Sequence, residues 1–567
     1  MVMLNCSYND LKKAIGHDLS EEELRTVLFD MGYELDAVVG DELAIEITAE
    51  RLDVLSVQGM ARAMKAFLSG KPLSPYQVHD SNQIVTITPA VSKVRPHTVC
   101  ALVKNLHLTD ALIKQIIDVQ EKLHATLGRG RRRGAIGIYP LEAITLPITF
   151  TAAKPQDIRF HPLESDREMS AIEIIEEHPT GKTYGPLLQG YDMFPYFVDA
   201  KGDVLSVPPI INSEKTGRVN ISTTEIFIEC SGHEQSVLDE LLVYLTMMFA
   251  DMGGEVYSMK VAYPDGSTRV TPDLSPQNKT LHVSNIKKYL GLELEEKIIE
   301  ELLAKMMYTI VSKDKVKGED VLDRAELETV YHLQAPRFRY DLWHEIDIVD
   351  DIARVYGYNK LPLTLPVVNT IGSRLELSRM VDELSEVMAG LGFLETYTFS
   401  LTGKEEQLVQ MNIDEDKIDI VNVSNGNEVQ TMLRVSLLPQ QLTSLAINKK
   451  HPLPQKIFEG AFVVLPDETK DVKARNEMHF SALITDKTVS FTAIKQTLDA
   501  LLASRGLEKE ITIQKTEHPS FLKGRSGKIL YQDKPIGIIG EVHPQVLERF
   551  GIASPVACFE INIEPLL

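Results

Sequence analysis

Cysteine is scarce in this 567-residue chain, with only four, at positions 6, 100, 230 and 558. None pairs at a metal or redox spacing, and so few in so long a chain exclude a disulfide framework. Long apolar runs are also missing. The longest strongly apolar stretch, Leu241 to Ala250, is bounded by Glu240 and Asp251. It falls far short of the ~18–20 residues a membrane-spanning helix needs, so it reads as a buried helix and no membrane partner is expected. The opening residues, MVMLNCSYNDLKKAIG, carry Asp10 and no apolar core of signal-peptide length. A soluble cytoplasmic protein is the expectation. Positive charge is in deficit: Lys plus Arg number 59 against 81 Asp plus Glu, a net charge of −22. That balance excludes a protein that coats nucleic acid non-specifically, while leaving room for a local basic patch.

Familiar catalytic signatures are missing too. His161, His178, His233, His344, His518 and His543 do not pair at zinc-ligand spacing. No serine or cysteine sits in a nucleophile-elbow context. HPTGKTYG resembles a phosphate-binding loop only superficially, because the four-residue spacer is absent.

What is present is an ordinary globular mixture, 44% hydrophobic and 25% charged, long enough for about four domains. Residues 1–75 read as a small α/β domain, with Leu24, Leu28 and Met31 at helical spacing and GDELAIEITAE as a strand. KPLSPYQVHDSNQ reads as a linker. Residues 83–262 alternate short strands with two longer helices, ALIKQIIDVQEKLHATLG and the run from Ser236, which suggests a mixed sheet. Gly and Pro punctuate EEHPTGKTYGPLLQGY. Residues 270–365 read as a small helical domain. Its last helix aligns Ile348, Val349, Ile352, Ala353 and Tyr356 on one face, and Gly357 stops it. Residues 368–567 open on an amphipathic helix through Leu377, Met380, Val381, Leu384, Val387, Met388 and Leu391. FLETYTFSL and a series of further strands then predict an antiparallel sheet with helices. The class is multidomain α+β.

Two polar constellations stand out. Asp347, Asp350 and Asp351 follow i, i+3, i+4 spacing, with Asp341 just upstream. Such acids repel one another in a helix, and a hard cation such as Mg²⁺ would relieve them. An acidic first turn complementing the helix dipole accounts for them equally. GRGRRRG at 128–134 is the one dense basic run. It suits a phosphate backbone, an acidic partner or a solvated loop.

One family joins these pieces. PRFRYDLWHEIDIVDDIARVYGYNKLP resembles the signature of the phenylalanine–tRNA ligase beta-subunit family. In it, Arg-x-Asp is followed six residues later by a second Asp, then by two adjacent acids and an ARxYGY motif. AERLDVLSVQGMARAMKAFL, HPTGKTYGPLL, LSVPPIINSEKTGR, IFIECSG, MLRVSLLPQQLTSL, HPSFLKGRSGKI and IGIIGEVHPQVLERFGI extend the likeness along the chain, in its archaeal and eukaryotic form. The resemblance implies a magnesium site at Asp341, Asp347, Asp350 and Asp351, although bacterial members commonly carry Glu at the last two. It implies a winged-helix-like fold for 270–365, an editing and tRNA-binding role for 83–262 and a class II synthetase-like module at 368–567. Leu433-Arg434-Val435-Ser436 stands where an ATP-gripping Arg-x-Glu would be needed, so that module reads as non-catalytic. ATP and phenylalanine would then be bound by an alpha subunit, in a heterotetramer of two alpha and two beta chains that charges tRNA(Phe). The chemistry implied for this chain is hydrolytic editing of mischarged tyrosyl-tRNA, because a phenylalanine pocket cannot exclude tyrosine by binding alone. By position, Ser213, Glu229 and Ser231 are the candidate editing residues, with Thr223 and Thr224 behind them; polar groups on a solvated strand would look the same. A DNA-binding scaffold that reuses the acidic-helix domain is the competing reading, and the acids on that helix argue against it.

Overall fold

The chain forms two units, Met1–Thr364 and Leu365–Leu567. The computed structural model describes residues 2–71, 75–317 and 327–567.

In the first unit, the amino-terminal segment builds a three-stranded antiparallel sheet. Strand Glu42–Ile47 lies between Val2–Ser7 and Glu34–Val39. Helices Tyr8–Ile15, Glu21–Asp30 and Val57–Ser69 accompany it. Ser20 and Glu23 close a reciprocal capping box on the second helix, satisfying amides that a helix start otherwise leaves bare. Leu24 and Leu28 are buried, as their spacing predicts.

The expected linker is in part a strand. Val78–Ile87 runs parallel to Glu255–Ala262 and to Ile148–Ala153, and residues 72–74 lie outside the described residues. Polar VHDSNQ is legible only as coil, because much of it lies exposed and so carries no apolar alternation. The strand belongs to a ten-stranded mixed sheet with Gly134–Pro140 at one end and Ile211–Asn212 at the other. Helices Asp110–Ala125 and Gln235–Asp251 fall on the two predicted helical runs. Leu238, Leu241, Leu245 and Phe249 of the latter are buried in the core, each removal from water contributing about 1.5–3 kcal/mol. The punctuated stretch EEHPTGKTYG is helical, as Ala171–Glu177 and Pro179–Tyr184. Its proline occupies the first helical turn, where its missing N–H costs nothing.

Residues 277–335 contain a three-stranded antiparallel sheet that the periodicity did not suggest, with Leu327–Ala335 in the centre. Helix Val283–Leu290 is preceded by His282, with Ser284 inside it, and ends at Gly291. Helix Glu345–Tyr356 buries Ile348, Val349, Ile352 and Ala353 and is stopped by Gly357 at φ +98°.

A buried ion network ties these parts together. Arg62 donates to Asp53 at 3.2 Å and to Asp251, and Tyr76 donates to the same Asp251 at 2.7 Å. Arg51 grips Asp53 through two bonds, at 2.8 and 3.1 Å.

The second unit is a seven-stranded sheet, antiparallel except at its first edge. Helix Glu376–Gly390 buries Met380, Leu384 and Met388. FLETYTFSL is not one strand: only Leu394–Glu395 and Leu401–Thr402 pair. The alternating residues between them, Tyr397 and Phe399, face solvent at 93% and 79% exposure.

Candidate active site

Along strand Ile226–Gly232, side chains alternate between the two faces of the sheet. Ile226, Ile228 and Cys230 join the core that holds helix Gln235–Asp251, and Phe227 joins the core on the other face. Alternation places Glu229 and Ser231 on the face of Phe227. The neighbouring strand Gly134–Pro140 is one end of the sheet, and Val204–Val207 lies near the other. The sheet curls until these ends meet. Tyr139 Oη lies 2.8 Å from Ser206 Oγ and 3.5 Å from Asn212 Oδ1. Between them and helix Asp110–Ala125 opens a cavity of about 410 Å³. Its walls mix apolar residues, among them Ile113, Ile116, Ile136, Ile138, Ile210 and Ile211, with polar ones that include His124, Arg131, His178, Asn212, Arg218 and Glu229.

Glu229 is 2% exposed. Its Oε1 accepts from Tyr139 at 3.3 Å, and its Oε2 has no partner. One phenolic proton cannot serve Ser206, Asn212 and Glu229 at once, so even that bond is shared. Burial pushes the carboxyl up to about 7, against the opposing pull of the Arg95 guanidinium. The close approach depends on Gly137, which lies directly opposite Glu229 in the sheet. A Cβ there would stand 2.3 Å from Tyr139 Oη and 2.5 Å from Glu229 Oε1. His124 Nε2 accepts the Ile136 N–H at 2.9 Å, which directs the ring proton to Nδ1, facing Glu121. Burial holds this imidazole below its ordinary value, so it is a neutral wall group.

Of the other candidates, Ser231 also acts on Glu229, its hydroxyl opposing the upward push of burial, while the rest serve the scaffold. Ser231 Oγ accepts from Arg95 at 3.0 Å, and the same guanidinium reaches the Ser231 carbonyl. Ser213 is buried at the start of the short helix Glu214–Gly217 and its N–H donates to the Leu205 carbonyl at 2.8 Å; its neighbour Asn212, not Ser213, lines the cavity. Thr223 accepts the Asn220 N–H at 3.2 Å, and Thr224 is exposed, with its carbonyl accepting from Leu106.

The four acids on and before helix Glu345–Tyr356 each have a partner within this chain. Asp341 accepts from Arg339 at 2.7–3.1 Å, and Asp351 accepts from the same guanidinium at 2.7 Å and from Tyr308 at 2.6 Å. Asp347 caps the amides of Trp343 and His344 at 2.7 Å. Asp350 faces Arg354 and Tyr358. Among the described residues no group of three or more His, Cys, Asp or Glu converges on a common point. Asp341 and Asp351 pair with buried Arg339, Asp347 caps backbone amides and Asp350 pairs with Arg354; as placed the four do not fit a four-carboxylate magnesium sphere, and no step is derived through such an ion.

Comparison with known proteins decides the family. Residues 1–70 match the family model "Phe-tRNA synthetase beta subunit B1 domain", residues 279–358 "tRNA synthetase B5 domain" and residues 361–563 "Phenylalanyl tRNA synthetase beta chain CLM domain". The whole chain is 36% identical to the phenylalanine–tRNA ligase beta subunit of Thermococcus sibiricus, covering 99% of it, and 36% identical to that of Pyrococcus horikoshii, covering 100%. The chain belongs to the phenylalanine–tRNA ligase beta-subunit family. The crystal structure of an N-terminal fragment of the Pyrococcus horikoshii phenylalanyl-tRNA synthetase beta subunit aligns with a TM-score of 0.58 at 35% identity, over 63% of this chain and 99% of that one. As a phenylalanine–tRNA ligase beta subunit, the chain is part of an aminoacyl-tRNA synthetase, a ligase of protein biosynthesis. No helix among the described residues is long and apolar enough to cross a membrane.

The site residues of this ligase subunit that sequence reasoning missed are Tyr139, Asn212, Arg95 and Gly137. The signal for two of them was present: in GAIGIYP, alternation puts Gly137 and Tyr139 on one face. Which strand lies opposite was not readable from one sequence. In the second unit, Arg434 is 2% exposed. It is spent on Glu459 at 2.9 Å, Thr398 Oγ1 at 2.8 Å and the Phe462 carbonyl at 2.8 Å.

Proposed function

We propose that this beta subunit carries the proofreading half of its ligase, hydrolysing tRNA charged with tyrosine in the cavity around Glu229. The observation that carries this reading is the unpartnered Glu229 Oε2 in a cavity walled in part by isoleucines. The phenolic O–H of a tyrosyl group supplies the missing donor. A phenylalanyl ring of the same shape leaves the carboxyl buried without one. Above pH 7, where the carboxyl is ionised, a hydrogen bond to this charged group is worth about 1.5–3 kcal/mol, which converts to roughly 10- to 150-fold preference for tyrosine. Glu229 thus reads the amino acid, and a water adds to the ester carbonyl while the ribose hydroxyl leaves. The test is deacylation of tyrosyl-tRNA and phenylalanyl-tRNA by a Glu229→Ala variant. Loss of the tyrosine preference is expected; wild-type speed on tyrosyl-tRNA would remove Glu229 from the site.

The rest of the reaction is proposed to belong to an alpha subunit, which binds ATP and phenylalanine and acts with this chain on tRNA(Phe) as a heterotetramer of two alpha and two beta chains. Two features support this. Arg434 is buried and fully engaged, so it has no reach toward a phosphate. Leu365, Val367, Val368, Ile371, Tyr397 and Phe399 are all at least two-thirds exposed, and so dense a set of exposed apolar side chains is characteristic of a subunit interface.

A further inference from the structure

The run Gly128–Gly134 joins helix Asp110–Ala125 to strand Gly134–Pro140, and both elements wall the cavity. It is a stiff turn. Arg129, Gly130 and Arg131 stand in succession at φ +47°, +61° and +66°. The Gly128 N–H donates to the Leu123 carbonyl at 2.9 Å, that of Gly130 to His124 at 2.8 Å and that of Arg133 to Gly128 at 3.0 Å. Two non-glycine residues held in the left-handed region are a cost the surrounding bonds impose, and such positions cluster at working sites.

The four arginines divide into two roles. Arg131 turns inward to the cavity wall, donating to Glu121 at 2.9 Å and to the Pro209 and Ile210 carbonyls at 3.2 Å, with its guanidinium 4.0 Å from the Tyr184 ring centroid. Arg133 forks onto Glu234 at 2.7 and 2.5 Å. Arg129 and Arg132 are exposed and make no ion pair among the described residues. The acid that Arg129 senses, Glu234, is already held by Arg133. In a chain with 81 acids and 59 bases, two exposed arginines that make no ion pair among the described residues are available to an incoming polyanion.

We infer that Arg129 and Arg132 form a phosphate clamp that grips the backbone of the single-stranded 3′ end of the charged tRNA while its aminoacyl group sits in the cavity. This rests on the proofreading reading, which supplies the substrate. The geometry suits it: Arg131 lines the cavity and is bonded to its wall, so the turn that carries Arg129 and Arg132 is anchored beside the cavity. Guanidinium groups bind phosphate through paired N–H donors, without reading the bases.

The test uses the subunit assembled with its partner and a double variant, Arg129→Ala with Arg132→Ala. Neither side chain makes an ion pair among the described residues, so the thermal transition should stay in place. The expected result is a KM for tyrosyl-tRNA hydrolysis raised about tenfold at unchanged kcat. The slope of log kcat/KM against log salt should become shallower by about 1.4, at roughly 0.7 per single-strand phosphate contact. Ethylation interference at the 3′-terminal phosphates should vanish. A variant with wild-type KM, salt slope and interference pattern overturns the clamp. If the wild-type enzyme does not hydrolyse tyrosyl-tRNA, the proofreading reading falls, and interference mapped on uncharged tRNA(Phe) decides the clamp separately: loss of the terminal signals in the double variant supports it, and retention refutes it.

Discussion

Replacing Glu229 by glutamine should change how stability depends on pH. An unburied glutamate titrates near 4.5, whereas burial pushes Glu229 up to about 7. Between those values the folded chain holds a proton that the unfolded chain has released. The stability contributed by the protonated carboxyl is therefore complete below pH 4.5 and is lost as pH rises through 7. At about 1.4 kcal/mol per pH unit, keeping the ionised form buried at pH 8 costs about 3 kcal/mol. Glutamine has the shape of the protonated carboxyl and no proton to lose, so Arg95 meets the same neutral neighbour at every pH. Glu229→Gln should match the wild type near pH 4.5 and exceed it by about 3 kcal/mol at pH 8. For a cooperative unit of 150–250 residues that is a Tm gap of about 6–12 °C. Differential scanning calorimetry at pH 5, 6, 7 and 8 reads it directly. A gap that stays flat across this range, or a variant less stable than wild type at pH 8, would refute the reasoning.

Three further outcomes follow from the same contacts. Gly137→Ala should displace Tyr139 and Glu229 together, cutting tyrosyl-tRNA hydrolysis at least about tenfold while overpacking costs about 1–3 kcal/mol in thermal unfolding. Asp351→Asn removes a buried acid shared by Arg339 and Tyr308 and should cost about 3–5 kcal/mol. Asp350→Asn, at the surface, should stay within about 0.5 kcal/mol; equal losses, or collapse of the isolated chain's thermal transition in EDTA, would show that a cation and not Arg339 neutralises these acids. Phe399→Asp should leave the isolated chain's Tm unchanged and abolish co-elution with the alpha subunit on size exclusion.

The parts of the fold legible in the sequence were those with strong periodicity. Helices Glu345–Tyr356 and Glu376–Gly390 bury nearly the faces their spacing marks, because a half-buried helix writes its period into its apolar residues. The polar first half of strand Val78–Ile87 was hidden, since its largely exposed side chains carry no such record although Val78, His79 and Asp80 pair with Val256, Tyr257 and Ser258. FLETYTFSL misled for the opposite reason: its alternation has no partner strand among the described residues over its middle. At the candidate site, Glu229 was named by its position in the family resemblance, and a polar group on a solvated strand would have looked the same. Tyr139 and Asn212 were not legible, because the closure that joins Tyr139 to Glu229 and to Asn212 spans 90 and 73 residues of sequence separation, and a single chain carries no mark of which distant strands will meet.

The Arg62 network has a practical corollary for anyone dissecting the molecule. Its members come from residues 53, 62, 76 and 251, so scissors placed in the stretch near residue 72 put Arg62 on one piece and Asp251 on the other. Each excised module would then carry half of the network, Arg62 left with Asp53 alone and Asp251 with Tyr76 alone, together with the apolar face it used to cover. Such pieces should precipitate, whereas a cut beyond residue 364 leaves the network whole.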